Sequence, residues 1–130
     1  MLFSFNGRIR QSQWWLVQLG LLVVGFVTLV LAGVVVAPIG LKETLVTQLT
    51  FGLLAGAVAA ALTWINLATS AKRFHDQDLS GWFYLISFVP VIGSIIVLGL
   101  LGFRDSRHGA NRFGASAKYP NLAAAAALFD

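Results

Sequence analysis

The chain has 130 residues, of which 58% are hydrophobic and only 11% are charged, and its formal net charge is +4. Soluble domains have roughly 45–50% apolar and about 25% charged residues, so this composition is typical of a membrane protein and leaves no room for a separate soluble domain. The absence of cysteine excludes disulfides, a thiolate nucleophile and cysteine-based metal sites. The basic residues flank apolar runs, a pattern that favours anionic membrane lipids over nucleic acid as partners.

The first apolar run, residues 14–36, has no charged residue and follows a short segment that carries Arg8 and Arg10. A helix of this length would measure about 35 Å, which exceeds the roughly 30 Å hydrocarbon core of a bilayer. A cleavable signal peptide usually has an apolar part of only about 7–15 residues, so the run favours a spanning helix over that alternative. We expect this helix to end near Pro38 and Gly40.

The second apolar run, residues 45–71, is rich in small residues and contains Gly52 and Gly56 in a GxxxG pattern. Such glycines let two helix backbones approach closely inside a membrane, where the hydrophobic effect does not drive helices together. We predict that Gly52 and Gly56 serve helix packing. Packing within the chain is favoured over a homo-oligomer, which remains the alternative.

The third apolar run, residues 82–103, is interrupted by Pro90 and Gly93. Either half alone is far too short to span, which favours one kinked helix across the membrane. The distribution of charge favours a re-entrant segment instead, because eight basic residues would then lie on one side and only Lys42 on the other. The predicted fold is therefore an all-α, polytopic helical membrane protein with three hydrophobic segments, the third spanning or re-entrant. Residues 1–119 form a single domain, and residues 120–130 form a loose tail.

Most residues that could carry chemistry lie in a charged strip, residues 72–82, between the second and third runs. Ionisable residues close to a membrane core are expensive to keep there and are functional candidates by default. Arg73 and Lys72 could bind a phosphate, while His75 could transfer a proton with Asp76 as its neighbour. The alternative is structural: Arg73 and Asp76, three residues apart on a helix, could simply pair with each other.

Three patches of the sequence together resemble the domain-of-unknown-function 805 family of bacterial inner-membrane proteins. They are FNGRIR at residues 5–10, KRFHD with SGW at residues 72–76 and 80–82, and GANRFG at residues 109–114. Lys72 stands where that family has an arginine. The resemblance implies a multi-pass protein of the bacterial inner membrane and no known activity.

The sequence predicts a non-enzymatic membrane component that binds lipid or a partner protein. The alternative is a transporter or lipid-modifying subunit that uses Arg73, His75 and Asp76. We expect no cofactor and no metal, since His75, Asp76, Asp78 and His108 lack the spacing of metal ligands. We predict no catalytic residue, and the candidates for binding an anionic lipid or ligand are Arg8, Arg10, Lys72, Arg73, His75, Asp76, Asn111 and Arg112.

Overall fold

The computed structural model describes residues 2–39, 45–119 and 121, with the side chains of residues 35–39 left out of the description. Helix α1 comprises Gln11–Ile39 and helix α2 Leu45–Asp76; a 3-10 helix at Gly81–Phe88 and helix α3 at Ile92–Gly102 follow. These residues contain no strand, so the predicted all-α fold is confirmed. Lys42 and, apart from Asn121, the predicted tail at residues 120–130 lie outside the described residues.

Helices α1 and α2 form an antiparallel pair. The indole of Trp14 donates to Ser70 at 3.4 Å, and one turn further along α1 the amide of Gln18 donates to Asn66 at 3.0 Å. Residues later in α1 therefore contact residues earlier in α2, so the two helices run in opposite directions. With 29 and 32 residues the helices are about 44 and 48 Å long, and both are long and apolar enough to cross a membrane.

Helix α2 continues past the end of the second apolar run into the charged strip, whose first five residues, 72–76, are helical. Helix continuation buries Phe74 in the core and places Arg73 one turn before Asp76, where the two side chains pair. The strip is thus the last turn of a helix followed by a turn, and not a loop throughout.

The third apolar run enters and leaves the helix pair at the same end, which is the arrangement expected of a re-entrant segment. At its start, a Cβ atom on Gly81 would lie 3.0 Å from the Cβ of Ala71, near the end of α2. At its finish, the carbonyl of Gly102 accepts a hydrogen bond of 2.9 Å from the indole of Trp15, near the start of α1. The two limbs, 8 and 11 residues long, each measure about 16 Å, half the thickness of a bilayer core.

The reversal between the two limbs occurs at Pro90 and Val91. Val91 has a φ of 61°, which is unusual for a β-branched residue. Two residues later, a Cβ atom on Gly93 would lie only 1.8 Å from the carbonyl oxygen of Ile86. Glycine is therefore required at position 93 because α3 begins in contact with the backbone of the 3-10 helix.

The buried core lies at one end of the helix pair, where the side chains of Trp14, Phe74, Val97 and Leu101 meet. In contrast, the most apolar 18-residue windows of α1 and α2 contain no buried residue. An apolar surface of this size would be strongly unfavourable in water, so a hydrocarbon environment is the one that suits it.

Candidate functional site

Asp76, the last residue of α2, is the centre of a buried cluster of charges. Its Oδ1 accepts a hydrogen bond from Nε of Arg8 at 3.0 Å, and its Oδ2 accepts one from Nη1 of Arg73 at 2.5 Å. The three side chains are at most 1% exposed. We call Arg8, Asp76 and Arg73 the ion cluster, and the end of the bundle that contains it the basic end.

Arg8 also joins the N-terminal segment to the polar segment that follows α3. Its Nη1 donates to the carbonyl oxygens of Gly109 at 2.9 Å and Gly114 at 3.1 Å. Its Nη2 donates to the backbone carbonyl of Asp76 at 3.2 Å and to that of Arg107 at 2.9 Å. The guanidinium thus has five hydrogen-bond acceptors within the protein, which matches its full donor capacity.

Arg73 is bound to the end of α3 in the same manner. Its Nε donates to the carbonyl of Leu101 at 3.0 Å, while Nη1 also reaches the hydroxyl of Ser106 at 3.3 Å and Nη2 donates to the carbonyl of Arg104. The last carbonyls of a helix have no partner within the helix and carry partial negative charge. A buried guanidinium at this position satisfies them, and the helix end in turn stabilises the extra positive charge of the cluster.

His75 and Asp76 are neighbours in sequence but contact different groups. The imidazole of His75 stacks on the ring of Phe113, with ring centroids 3.8 Å apart, and its backbone carbonyl accepts a hydrogen bond of 2.8 Å from Asn111. The carboxylate of Asp76 is bonded to the two arginines instead. The predicted patches at residues 5–10, 72–82 and 109–114 are therefore brought together, but the two residues are not arranged as a proton-transfer pair.

The remaining predicted cations surround the ion cluster. Arg10 is exposed and its Nε donates to the carbonyl of Ala117 at 2.5 Å. Arg112 is exposed and lies 3.7 Å from the carboxylate of Asp78, while Lys72 is buried, with 7% of its surface exposed. The basic end therefore has a buried layer, in which Asp76 offsets part of the positive charge, and an exposed layer of basic side chains.

The exposed layer also contains Arg104, Arg107 and Lys118. Arg107 pairs with Asp78 at 2.7 Å, and Lys118 pairs with Asp105 at the same distance. The hydrogen bond from Lys118 lowers the pKa of Asp105 below its ordinary value. Exposed pairs of this kind are weak and leave the layer accessible to anions.

Gly52 and Gly56 face open space in the described part of the chain. Apart from the backbone of α2 itself, no described atom comes within 4 Å of the position that a Cβ would take at either residue. Helix packing at this pair therefore stays a prediction, and any partner would have to come from outside the described part of the chain.

A polar network inside the apolar region was missed by the sequence analysis. The side-chain oxygen of Asn66 accepts hydrogen bonds from Gln18 at 3.0 Å and from Ser70 at 3.3 Å, and its amide nitrogen donates to the hydroxyl of Tyr84 at 3.2 Å. The network joins α1, α2 and the 3-10 helix. The signal was present, because Gln18 and Asn66 are strongly polar residues within otherwise apolar runs.

The described residues contain no group of three or more histidine, aspartate or glutamate side chains that could hold a metal ion. The site consists of a buried ion cluster, a layer of exposed cations and an apolar helix pair. These are the features of a small helical membrane protein with a basic surface at one end.

The chain belongs to the DUF805 family, described as a protein of unknown function, whose model matches residues 2–115. It is 30% identical to inner membrane protein YhaI of Escherichia coli strain K12 over 116 residues, which cover 89% of this chain and 87% of the relative. It is 29% identical to inner membrane protein YhaH of the same strain over 115 residues, covering 88% of each chain. No solved structure matches the chain. The family predicted from the three sequence patches is confirmed.

Proposed function

We propose that this protein is a non-enzymatic component of the bacterial inner membrane that binds anionic phospholipid headgroups at its basic end. The observation that carries the proposal is the separation of charge along the helix pair. All eight basic residues in the described part of the chain lie at the basic end, together with three acidic residues, an excess of five positive charges. The rest of the helix pair is apolar.

The geometry of the third run supports this arrangement in a membrane. Because both of its limbs return to the basic end, the basic segments before α1, after α2 and after α3 all lie on one face. Basic residues are enriched on the cytoplasmic side of membrane proteins, where anionic lipids attract each Lys or Arg by about 1 kcal/mol. The exposed arginines are thus held where anionic headgroups occur.

The contacts of Asp76 favour a non-enzymatic role over a transporter or lipid-modifying subunit. Both of its carboxylate oxygens are bound by buried guanidinium groups, and Arg73 is bonded to the backbone around it. A residue that shuttles protons has to lose its partners in each cycle, and here such a loss would leave two buried positive charges uncompensated. The cluster is better suited to joining the segments of the basic end than to turnover.

The test replaces exposed arginines outside the ion cluster. Arg104 and Arg107 are exchanged together for glutamine in one variant and for lysine in a matched control that keeps the charge. Purified proteins are incubated with phosphatidylglycerol or phosphatidylcholine, and bound lipid is counted by native mass spectrometry.

We expect the native chain and the lysine control to prefer phosphatidylglycerol. In the glutamine variant the ratio of bound phosphatidylglycerol to bound phosphatidylcholine should fall about tenfold. Each lost arginine removes an attraction of about 1 kcal/mol, and neighbouring cations compensate for part of this loss. Equal binding of the two lipids by the native chain would contradict the proposal, and proton uptake into liposomes that depends on His75 would favour the transporter alternative.

A further inference from the structure

An apolar cavity of about 500 Å³ lies beside the ion cluster, between α2, the 3-10 helix and the N-terminal segment. This volume is within the roughly 300–1,000 Å³ that is typical of ligand sites. Most of its wall is apolar, with side chains from the three segments that include Phe5, Leu67, Trp82, Leu85 and Phe88. Such a wall offers few partners to water, which needs two to four polar contacts to be stable in a cavity.

The polar side of the cavity is provided by His75. Nδ1 of its ring is buried and has no hydrogen-bond partner among the described residues. Nε2 lies 3.5 Å from the position that a Cβ on Gly81 would take, and His75 and Gly81 both line the cavity. The backbone of Gly7 lies near enough to bond one nitrogen of this imidazole, so the protein uses at most one of the two ring nitrogens and the other is left for a ligand.

A positive charge lies next to the polar side. The ring of His75 stacks on that of Phe113, and the guanidinium carbon of Arg112 lies 4.7 Å from the centre of the Phe113 ring. From the cavity outwards, the groups therefore follow one another in space as an apolar wall, one imidazole, one aromatic ring and an exposed cation. The groups of a phospholipid occur in a matching order: an apolar acyl chain, a polar ester and a negatively charged phosphate.

We propose that the cavity binds one acyl chain of a membrane phospholipid, with the ester group of the lipid hydrogen-bonded to His75. The inference deepens the proposed function and rests on it for the preference for an anionic headgroup. One wall comes from α2, which is long and apolar enough to cross a membrane, so lipid chains are the apolar molecules available to fill the space. His75 then positions the lipid and takes no part in a reaction.

The test fills the cavity in the full-length protein. Leu67→Trp fills it from α2 and Leu85→Trp fills it from the 3-10 helix, so two independent walls are used. Leu53→Trp is the matched control, because Leu53 is on the same helix as Leu67 and is 75% exposed. Retention of phosphatidylglycerol with two monounsaturated chains is measured by native mass spectrometry at increasing lipid concentration, and thermal unfolding identifies variants that are not folded.

We expect the native chain to retain one lipid, both filled variants to bind it at least about tenfold more weakly, and the Leu53→Trp control to bind as the native chain does. His75→Phe keeps the ring that stacks on Phe113 and removes the hydrogen bond, so it should weaken retention about fivefold. These losses should be the same for phosphatidylglycerol and phosphatidylcholine. The arginine variants of the preceding test should instead change the preference between these lipids, so the two proposals can fail separately.

The inference is overturned if the native chain retains no lipid, or if folded variants with a filled cavity retain it unchanged. It is also overturned if Leu67→Trp and Leu85→Trp dissociate a dimer without changing lipid retention, because the occupant would then be a second copy of the chain.

Discussion

At the scale of single residues, Asp76 is the group on which the basic end depends. One carboxylate lies between two buried guanidiniums, and the surplus positive charge is offset by backbone carbonyls that include the end of α3. Removing a charge from water costs several kcal/mol, and only good geometry with all donors bonded offsets that cost. Arg8 meets this condition with an acceptor for each of its five donors, and Arg73 nearly meets it with four acceptors within the protein.

We predict that Asp76→Asn destabilises the protein by about 3–5 kcal/mol, because two buried arginines lose their counter-ion while the side chain keeps its shape. The free energy of unfolding in mixed micelles, followed by circular dichroism during titration with a denaturing detergent, measures this loss. Asp78→Asn is the control: its partners Arg107 and Arg112 are more than 60% exposed, so a change below about 1 kcal/mol is expected. Equal losses for the two variants would mean that the ion cluster has no special role in stability.

At the scale of elements, the re-entrant pair of short helices depends on close backbone contact. Neither limb is long enough to cross a bilayer, and Pro90 removes a backbone donor at the reversal. Exposed backbone groups at this depth are tolerated only when they are covered by protein. The contact between Gly93 and Ile86 brings the two limbs together and provides part of this cover.

Substitution of two glycines in α3 should therefore have opposite effects. Gly93→Ala places a methyl group against the carbonyl of Ile86 and should destabilise the protein by about 3 kcal/mol, the upper part of the range for overpacking. Gly99→Ala enters open space on the same helix and should be neutral or stabilise by up to about 1 kcal/mol, since alanine is the better helix former. Thermal unfolding in detergent would compare them, and similar melting temperatures would show that the limbs do not touch at Gly93.

At the scale of the whole molecule, charge and apolar surface are separated along the axis of the helix pair. The basic end contains the core and the ion cluster, whereas the opposite part of α1 and α2 is uncovered and apolar. A membrane provides the missing cover. From the positive-inside rule we predict that the basic end lies in the cytoplasm and that the opposite end of the helix pair lies at the periplasmic side.

Cysteine labelling tests this arrangement, because the chain has no native cysteine. Single cysteines replace Ala110, which is exposed at the basic end, Ser4, which is exposed in the segment before α1, and Thr44, which lies between α1 and α2 in the sequence. With a thiol reagent that does not cross membranes, we expect labelling at position 44 in intact cells. Positions 4 and 110 should react only after the cells are opened. Labelling of positions 44 and 110 together from outside would mean that the third run crosses the membrane.

The sequence by itself determined the membrane class, the two long helices and the family, because these follow from long uncharged runs and from local patches of residues. It also identified Arg8, Arg73, Asp76 and Asn111 as candidates. It could not show what they contact, since the partners of Arg8 are 68 and more residues away along the chain.

Only the tertiary structure showed that the two halves of the third run fold back against each other. The length of the third run favoured a spanning helix, and the distribution of basic residues favoured re-entry. Neither property predicts the backbone contact at Gly93 that holds the two limbs together. The same holds for the cavity: Leu67, His75 and Leu85 are unremarkable in sequence and line one space only because the 3-10 helix packs back against α2. The charged strip forms a buried cluster only because segments that are distant in sequence pack against it in the folded chain.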